Sequence, residues 1–525
     1  MTDTKTVASG HPKGLYTLFF SEMWERFCYY GMRALLTLYL INSLAKGDLE
    51  AFGIYGAYTA LVYAAPVHGG RIADQLIGYR NAVVLGGILM CIGEFMILGG
   101  NDTWLYVGMG TIIVGNGYFK ANISTIVGKL YADDDPRRDS GFTIFYIGIN
   151  VGALLATTVC AEVGNIYGAH YGFALAGFGM ILGTLIFWLG RKNFEHAALP
   201  PDEEKLHKPF IGFLGSTFST IDEENGGKSW RPLIVLNRMQ ITVVLSVLAI
   251  PLLYFLIKNS ELVGYLLAIT AVFVIYNLIS EAIKDGKVAR DRMIMMIIMF
   301  VFNIVFWACF EQAGTSLTLF AERNVNRDIM GWEMGAATTQ FFNPAFILIF
   351  GSIFSIMWIK LSKIGKNPSI PMKFGLGIIQ LGFGYLIVYG MQSLGFVSPE
   401  FKMPLITLVF LYMLHTTGEL FLSPIGLSMV TKLAPKRMTG TAMGGWFLSF
   451  AGANYVAAIL AKATGTEEGH GGEAAAAGAT EASEAAASLA NYVDIYTQMG
   501  LITVGIGVLL VLLSKPLNKL THGIG

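Results

Sequence analysis

Two glutamates and two arginines stand in an otherwise apolar segment near the start of the chain, in the stretch EMWERFCYYGMR at residues 22–33. At about 100° per residue, their helical positions share an arc of roughly 140° with two tyrosines. A charged side chain at the bilayer centre costs about 2.5–3.5 kcal/mol, so this face must meet protein or a water-filled cavity. The charged stripe consists of Glu22, Glu25, Arg26, Tyr29, Tyr30 and Arg33.

Charged residues in other apolar segments lie at matching depths in the bilayer. At 1.5 Å per residue from the inner end, Arg26 of the first span and Lys120 of the fourth both lie about 16 Å deep. Arg33 lies about 27 Å deep, Glu311 of the seventh span about 28 Å, and Glu419 of the tenth about 20 Å. These depths predict an upper Arg33–Glu311 pair. They also predict a lower cluster of Glu22, Glu25, Arg26 and Lys120.

Such groups can hold a zwitterion and carry protons. The cations come mostly from one half of the chain and the carboxylates from the other, so a zwitterion would meet partners for both of its ends. Coulomb interactions strengthen as water is excluded. Desolvation raises a carboxylate's pKa and a nearby cation lowers it, so competition for that cation can switch protonation. The structural alternative is a static salt-bridge network.

The elements that must position these residues are segments long enough to cross a bilayer. The chain of 525 residues is 54% hydrophobic and 14% charged, which is typical of an integral membrane protein. A hydrocarbon core about 30 Å thick needs roughly 20 residues per helix. This ruler predicts fourteen spans, arranged as six, two and six: 15–44, 52–77, 81–100, 103–131, 139–166 and 171–190, then 239–257 and 262–280, then 292–320, 341–360, 372–390, 403–432, 437–462 and 495–514.

The span order predicts three parts: a bundle at 1–192, a linker with an inserted helical hairpin at 193–291, and a second bundle at 292–525. An Ala/Gly/Glu-rich stretch at 463–489 is predicted to be a low-complexity outer loop. Positively charged residues, from Lys5 to Lys519, concentrate on one side, which places both termini in the cytoplasm. The net charge of zero indicates no nucleic-acid partner, and the four cysteines lack metal-ligand spacing.

Several motifs carry a family resemblance. EMWERFCYY (22–30) resembles the ExxERFxYY signature of the proton-dependent oligopeptide transporter family, within the major facilitator superfamily, and FYIGINVGA (145–153) resembles its second signature. The resemblance implies an all-α membrane protein with the major facilitator fold, made of two six-helix bundles plus an inserted two-helix transmembrane hairpin. Further similar stretches are GGRIADQLIGYR (69–80), GNGYFKANIS (115–124), FWACFEQ (306–312), FFNPAF (341–346) and GELFLSPIGLS (418–428).

The resemblance also implies a function. It indicates a proton-coupled symporter that imports di- and tripeptides across the bacterial inner membrane by alternating access, as a monomer. It implies no catalytic residue, no metal and no cofactor, with the proton gradient as energy source. The implied proton-coupling residues are Glu22, Glu25, Arg26, Lys120 and Glu311. The implied substrate-binding residues are Tyr29, Tyr30, Arg33, Tyr63, Lys120, Asn150, Trp307, Asn343, Glu419 and Trp446.

Three alternatives stay open at this level. The first is a related proton-coupled transporter of another small solute such as nitrate, which would need no partner for an ammonium group. The second is a membrane-embedded enzyme with catalytic carboxylates; against it, no loop carries a metal or nucleotide motif. The third is a membrane sensor that transports nothing.

Overall fold

The computed structural model describes residues 10–132, 135, 137–199, 206, 209–216, 231–465 and 481–523. Three features named from the sequence lie outside these ranges: Lys5, much of the linker, and residues 466–480 of the predicted outer loop. Within them the chain is almost entirely helical, and the predicted all-α membrane class is confirmed.

The helices of the first bundle begin and end close to the bounds of the predicted spans. Three of the spans end or continue in a π-helical turn, at Tyr39–Ser43, Ala73–Ile77 and Ala156–Cys160. The helices are α1 (Lys13–Leu38), α2 (Asp48–Ile72), α3 (Tyr79–Ile97), α4 (Asp102–Lys129), α5 (Arg138–Leu155), α6 (Ala161–Tyr167), α7 (Ala169–Gly190) and the short α8 (Glu195–Ala198).

The inserted segment begins with two antiparallel strands, β1 (Pro209–Ser216) and β2 (Arg231–Asn237). The helical hairpin follows as α9 (Arg238–Lys258) and α10 (Ser260–Lys284). Asn237 caps α9 by accepting a bond from the Gln240 amide N–H, while the Gln240 side chain accepts one from Asn237. This capping box fixes where the hairpin starts.

The second bundle repeats the six-span arrangement with one interruption. Its helices are α11 (Lys287–Phe310), α12 (Ser316–Asn324), α13 (Phe342–Lys363), α14 (Ile370–Ser393), α15 (Ile406–Leu433), α16 (Thr439–Lys462) and α17 (Glu481–Lys519). The two-residue strands are β3 (Val325–Asn326), β4 (Asp328–Ile329), β5 (Trp332–Glu333) and β6 (Met403–Pro404); β3 pairs with β6 and β4 with β5.

Helix packing separates the two bundles. One apolar core is drawn almost wholly from residues 15–257 and the other from residues 278–517. Between the bundles, α2 packs on α16 and α5 on α13, while α9 contacts α2 and α4 and α10 contacts α11 and α16. The inserted hairpin therefore touches both bundles.

Eleven helical segments in the described part of the chain are long and apolar enough to cross a membrane, judged by length and composition. Helices α1, α2 and α4 are not among these eleven, although they are of similar length. Helices α1 and α4 pack mainly within the first bundle, whereas α2 packs on both α4 and α16. The fold class is confirmed, while the exact count of fourteen spans stays a prediction.

Two predicted segments differ from the structure. The seventh span is not one helix, because a 3₁₀ turn at Glu311–Gly314 separates α11 from α12. The Thr37 hydroxyl donates to the Gly314 carbonyl at 2.6 Å, so the break leaves that group satisfied. The assignment of 481–489 to a low-complexity loop was wrong, since α17 starts at Glu481. Alanine and glutamate are strong helix formers, which explains why this Ala/Glu-rich stretch is helical.

Candidate functional site

The lower cluster is held together by one arginine. Arg26 Nε lies 2.9 Å from Glu22 Oε1 and 2.6 Å from Glu25 Oε2, all three side chains being on α1 and buried. The Glu25 Oε1 atom also accepts a hydrogen bond of 2.9 Å from Asn116 Nδ2 on α4. Buried ion pairs need such extra hydrogen bonds to offset desolvation, so Asn116 is part of this cluster.

Lys120, on α4, joins the cluster differently from the prediction. Its Nζ lies 4.0 Å from the centre of the Tyr63 ring on α2. Among the described residues no carboxylate oxygen lies within 4 Å of this ammonium group, so Lys120 has a cation–π contact rather than a salt bridge. Its charge is thereby available to a solute in the cavity.

The upper pair connects the two bundles. The Arg33 guanidinium of α1 forms a salt bridge with Glu311, which lies in the 3₁₀ turn after α11. Arg33 Nε donates to the Tyr55 hydroxyl of α2 at 2.5 Å. The guanidinium carbon also lies 5.9 Å from the Tyr30 ring centre. Arg33 is thus fixed by first-bundle tyrosines while its carboxylate partner comes from the second bundle.

The second bundle supplies a further acid at the end of a short polar chain. Glu419 of α15 accepts a hydrogen bond at Oε2 from Asn343 Nδ2 of α13, over 3.0 Å. The same Asn343 nitrogen lies 3.0 Å from Thr416 Oγ1, one turn before Glu419. Asn343 therefore orients one oxygen of the carboxylate and leaves the other for a ligand.

These groups surround a central cavity of about 280 Å³ between the bundles. Cations from α1 and α4 form one side of it, and carboxylates from the second bundle form the other. Its polar lining comprises Glu22, Arg26, Tyr30, Arg33, Tyr63, Lys120, Ser124, Tyr146, Asn150, Thr157, Glu311, Gln340, Asn343, Glu419 and Ser423, and its apolar lining includes Trp307, Phe310, Pro344 and Phe450.

Contacts between the bundles close the cavity on the side predicted to be outer. Asp48 at the start of α2 forms two bonds of 2.8 Å with Arg323 of α12. Further contacts join Thr37 to Gly314, Asn42 to Glu322, Glu162 to Thr338, and Gln340 to the Ala34 carbonyl.

On the opposite side, Ser124 lines both the central cavity and an inner vestibule of about 740 Å³. The Tyr146 side chain in the cavity wall is 39% exposed. The central cavity therefore lies next to the vestibule on the side predicted to be cytoplasmic and is closed on the side predicted to be outer.

The sequence of the chain matches a family model. The model is described as the POT family and matches residues 80–474, about three quarters of the chain. This chain belongs to the POT family. The recognition made from the motifs is therefore confirmed.

Two named relatives match along most of their length. The chain is 36% identical to "Uncharacterized transporter YclF" of Bacillus subtilis (strain 168), over 86% of this chain and 88% of the relative. It is 30% identical to dipeptide and tripeptide permease A of Yersinia pestis, over 97% of this chain and 93% of the relative.

Solved POT structures share the fold along the whole chain. A peptide transporter POT in complex with sulfate has a TM-score of 0.76 and 32% identity, with 99% of this chain and 98% of that chain covered. A POT family transporter in complex with 5-aminolevulinic acid has a TM-score of 0.75 and 29% identity, with 98% of each chain covered.

Not every predicted site residue of this POT-family chain lies at the cavity wall. Of the described residues, Glu25, Tyr29 and Trp446 are outside the lining. Glu25 lies behind the cavity wall, where it forms a salt bridge with the lining residue Arg26. Tyr29 is fully buried in the first-bundle core, and Trp446 packs on the lining residue Phe450 at 5.4 Å between ring centres.

Other wall residues were missed from the sequence. Tyr146 precedes the predicted Asn150 by one helical turn, and its carbonyl accepts the Asn150 amide at 2.9 Å. Phe450 lies one turn after Trp446 and stacks on Tyr63 at 5.8 Å. Spacing of four residues from a predicted site residue was the available signal. In the described residues no group of three or more His, Cys, Asp or Glu side chains could hold a metal ion.

Proposed function

We propose that this POT-family chain is a proton-coupled symporter that imports di- and tripeptides by alternating access. The observation that carries the proposal is the central cavity, with cations on the first-bundle side and carboxylates on the second. Relatives of this chain are named dipeptide and tripeptide permeases A and B, which supports the same substrate class. The protein is multi-pass in the membrane, and we place it in the bacterial inner membrane with both termini cytoplasmic.

The substrate would lie across the cavity between opposite charges. Its carboxylate would contact Arg33 and Lys120, because Lys120 has no carboxylate within 4 Å among the described residues. Its ammonium group would contact the free oxygen of Glu419, whose other oxygen is held by Asn343. Asn150 and Asn343 are candidates for hydrogen bonds to the peptide backbone, since both line the cavity wall. A zwitterion held this way satisfies both charged walls at once.

Proton coupling would follow from competition for cations. A substrate carboxylate that binds Arg33 takes the guanidinium from Glu311. A buried carboxylate without a cation is costly to keep charged, so it takes up a proton. In the lower cluster Glu22 and Glu25 both pair with Arg26, so a carboxylate that loses this cation would likewise take up a proton. Each such exchange binds one proton when the substrate binds, and the proton leaves when the pair re-forms.

Transport needs the outer contacts to open as the inner side closes. The bundles meet through polar contacts at the outer side and through α2 on α16 and α5 on α13. Rigid-body rocking of one bundle against the other would expose the cavity alternately. No cofactor, metal ion or catalytic step enters this scheme, and one chain contains every residue that the scheme uses.

Uptake of a labelled dipeptide into liposomes containing the purified chain tests the proposal. We expect an inward-directed proton gradient to drive accumulation and an uncoupler to abolish it. Undiminished uptake in the presence of the uncoupler would reject the coupling. A competition panel of nitrate, 5-aminolevulinic acid and di- and tripeptides would test the substrate class. Competition by nitrate alone would support the small-anion alternative, and no accumulation of any solute would revive the sensor alternative.

A further inference from the structure

A second cavity lies away from the central one, at the ends of the helices predicted to be outer. Its volume is about 340 Å³, and its walls come from both bundles and from the inserted hairpin. We call it the outer cavity. Its lining residues are Lys46, Leu49, Glu50, Gly53, Ile54, Asp102, Thr103, Tyr106, Tyr254, Lys258, Ser260 and Lys462.

The three lysines of the outer cavity differ in how they are paired. Lys46 Nζ lies 2.9 Å from Glu50 and 2.7 Å from Asp102, so two carboxylates neutralise it. Among the described residues, no carboxylate oxygen lies within 4 Å of Lys258 or Lys462. The cavity lining therefore holds three lysines and two carboxylates, a net charge of +1. Both carboxylates are bonded to Lys46, so Lys258 and Lys462 are the cations of the described lining that are left to contact an anion.

Gly53 on α2 allows two polar groups to converge. A Cβ atom at this position would lie 3.0 Å from Ser260 Oγ and 3.5 Å from Lys462 Nζ. The missing side chain leaves space where a hydroxyl from α10 and an ammonium from α16 face the first bundle. A tetrahedral oxyanion has enough oxygens to accept bonds from several such donors at once, and lysine is a common phosphate binder.

From this geometry we propose that the outer cavity binds a phosphate-bearing anion through Lys258, Lys462 and Ser260. Either an anionic lipid headgroup or free phosphate carries the required group. Neighbouring hairpin side chains point away from the protein, as Leu252 and Phe255 are 59% and 52% exposed. That surface would contact acyl chains in a membrane, so a lipid headgroup can reach the cavity from the side.

Binding here would favour the outer-closed conformation. Lys462 belongs to the second bundle, Gly53 to the first, and Lys258 and Ser260 to the hairpin. Nearby, Gly56 of α2 packs against Ala458 of α16, with space for no side chain between them. Separating α2 from α16 would pull Lys462 away from the other donors. A ligand that binds one conformation more tightly shifts the equilibrium toward it.

The test measures the thermal unfolding temperature, Tm, of the purified full-length protein. Inorganic phosphate is titrated in detergent at constant ionic strength, with chloride as the reference anion, and nanodiscs of phosphatidylglycerol are compared with nanodiscs of phosphatidylcholine. We expect phosphate, phosphatidylglycerol or both to raise Tm. If only phosphatidylglycerol raises Tm, the lipid headgroup is the source of the anion. If phosphate raises Tm in detergent, the free anion binds the cavity as well.

Variants separate this site from a general effect of charge. Lys258→Gln and Lys462→Gln should each weaken binding, so that the anion concentration giving half of the Tm response rises about tenfold, as expected for the loss of one charge-assisted bond. Gly53→Ala should weaken it too, because the new methyl group occupies the convergence point. Lys402→Gln is the matched control, since Lys402 lies in the predicted outer link between α14 and α15 and is not in the cavity lining. Equal responses of all four variants and the wild type, or no response to either anion, would overturn the proposal.

Discussion

Asp48 and Arg323, which are 275 residues apart in the chain, form a two-bond ion pair of 2.8 Å each that joins the bundles at the predicted outer side. The Asp48 side chain is fully buried and that of Arg323 is 13% exposed. Removing one partner of a buried pair leaves an uncompensated charge, whereas removing both is much less costly. The pair therefore stabilises the closed outer side more through geometry than through net attraction.

Single and double substitutions of this pair should separate these effects. Arg323→Gln is expected to lower the free energy of unfolding by about 3 kcal/mol, and adding Asp48→Asn should restore part of the loss. A cysteine from Ala313→Cys, in the central cavity lining next to the Thr37–Gly314 contact, should become labelled from outside in Arg323→Gln. Arg327→Gln is the control for labelling, because Arg327 pairs with Glu333 inside one bundle. A double variant as unstable as the two single losses combined would contradict this account.

Lys120 should be required for proton-driven uptake, although no carboxylate oxygen of the described residues lies within 4 Å of its ammonium group. Lys120→Gln removes the cation that we assign to the substrate carboxylate, so gradient-driven uptake should fall by about tenfold or more. Lys129→Gln is the matched control, as Lys129 of the same helix also lies over a tyrosine ring, 4.2 Å from Tyr79, outside the central cavity. Equal losses in both variants would show a general role of α4 lysines instead.

Glu419 should recognise the ammonium group of the substrate. Glu419→Gln is expected to weaken binding of a dipeptide about 10–100-fold, the effect of one charged hydrogen bond. The same variant should bind an N-acetylated dipeptide no worse than the wild type does, because acetylation removes the positive charge. Asn343→Ala should show a smaller loss of the same selectivity. Glu400→Gln, an acid outside the cavity lining, serves as control. Unchanged selectivity in Glu419→Gln would contradict the assignment.

Two adjacent glycines in α2 should respond differently to alanine. A Cβ atom at Gly69 would lie 2.0 Å from the Gly117 carbonyl oxygen of α4, whereas one at Gly70 would meet nothing closer than Ala121 Cβ at 3.8 Å. Gly69→Ala must therefore push the two helices apart, and overpacking of this kind costs about 1–3 kcal/mol or more. Gly70→Ala should keep Tm close to that of the wild type. Thermal unfolding of the two variants in detergent distinguishes them, and equal Tm values would contradict the close approach.

The end of the chain docks on the first turn of α11 through Asp291. The Asp291 carboxylate lies 2.9 Å from Arg290 Nη2 and 3.0 Å from His522 Nε2. The ionised carboxylate makes the stronger, charge-assisted bonds, so the contact weakens when Asp291 takes up a proton in acid. Arg292 Nε also bonds to the Thr521 carbonyl at 3.0 Å.

Hydrogen exchange of residues 515–523 checks this contact. Relative to the Asp291→Asn variant at each pH, the wild type should be more protected from pH 5 to 8. The difference should vanish only in strong acid. Equal protection of wild type and variant at neutral pH would show that the acid does not hold the terminus.

Much of the site could be predicted from single segments. The charged stripe of α1 follows from a helical period of 3.6 and the cost of charge in lipid, and a constant rise per residue brought Arg33 level with Glu311. Asn116 and Tyr146 were not predicted as site residues because an uncharged polar side chain costs much less free energy in lipid than a charged one, so its presence in a span does not indicate a site. The helix break at Glu311–Gly314 was not predicted because the segment stays apolar through it. The Gly314 carbonyl at the break is satisfied by Thr37, which belongs to another helix.

The sequence by itself determined the membrane class, the family and the inward direction of the charged stripe. These depend on periodicity and transfer free energy, which belong to one segment at a time. Only the tertiary structure decided that Lys120 lies over Tyr63, that Asp48 meets Arg323, and that the inserted hairpin closes a cavity with Lys462. Those contacts depend on how rigid helices pack across hundreds of residues of chain, and local pattern does not encode that packing.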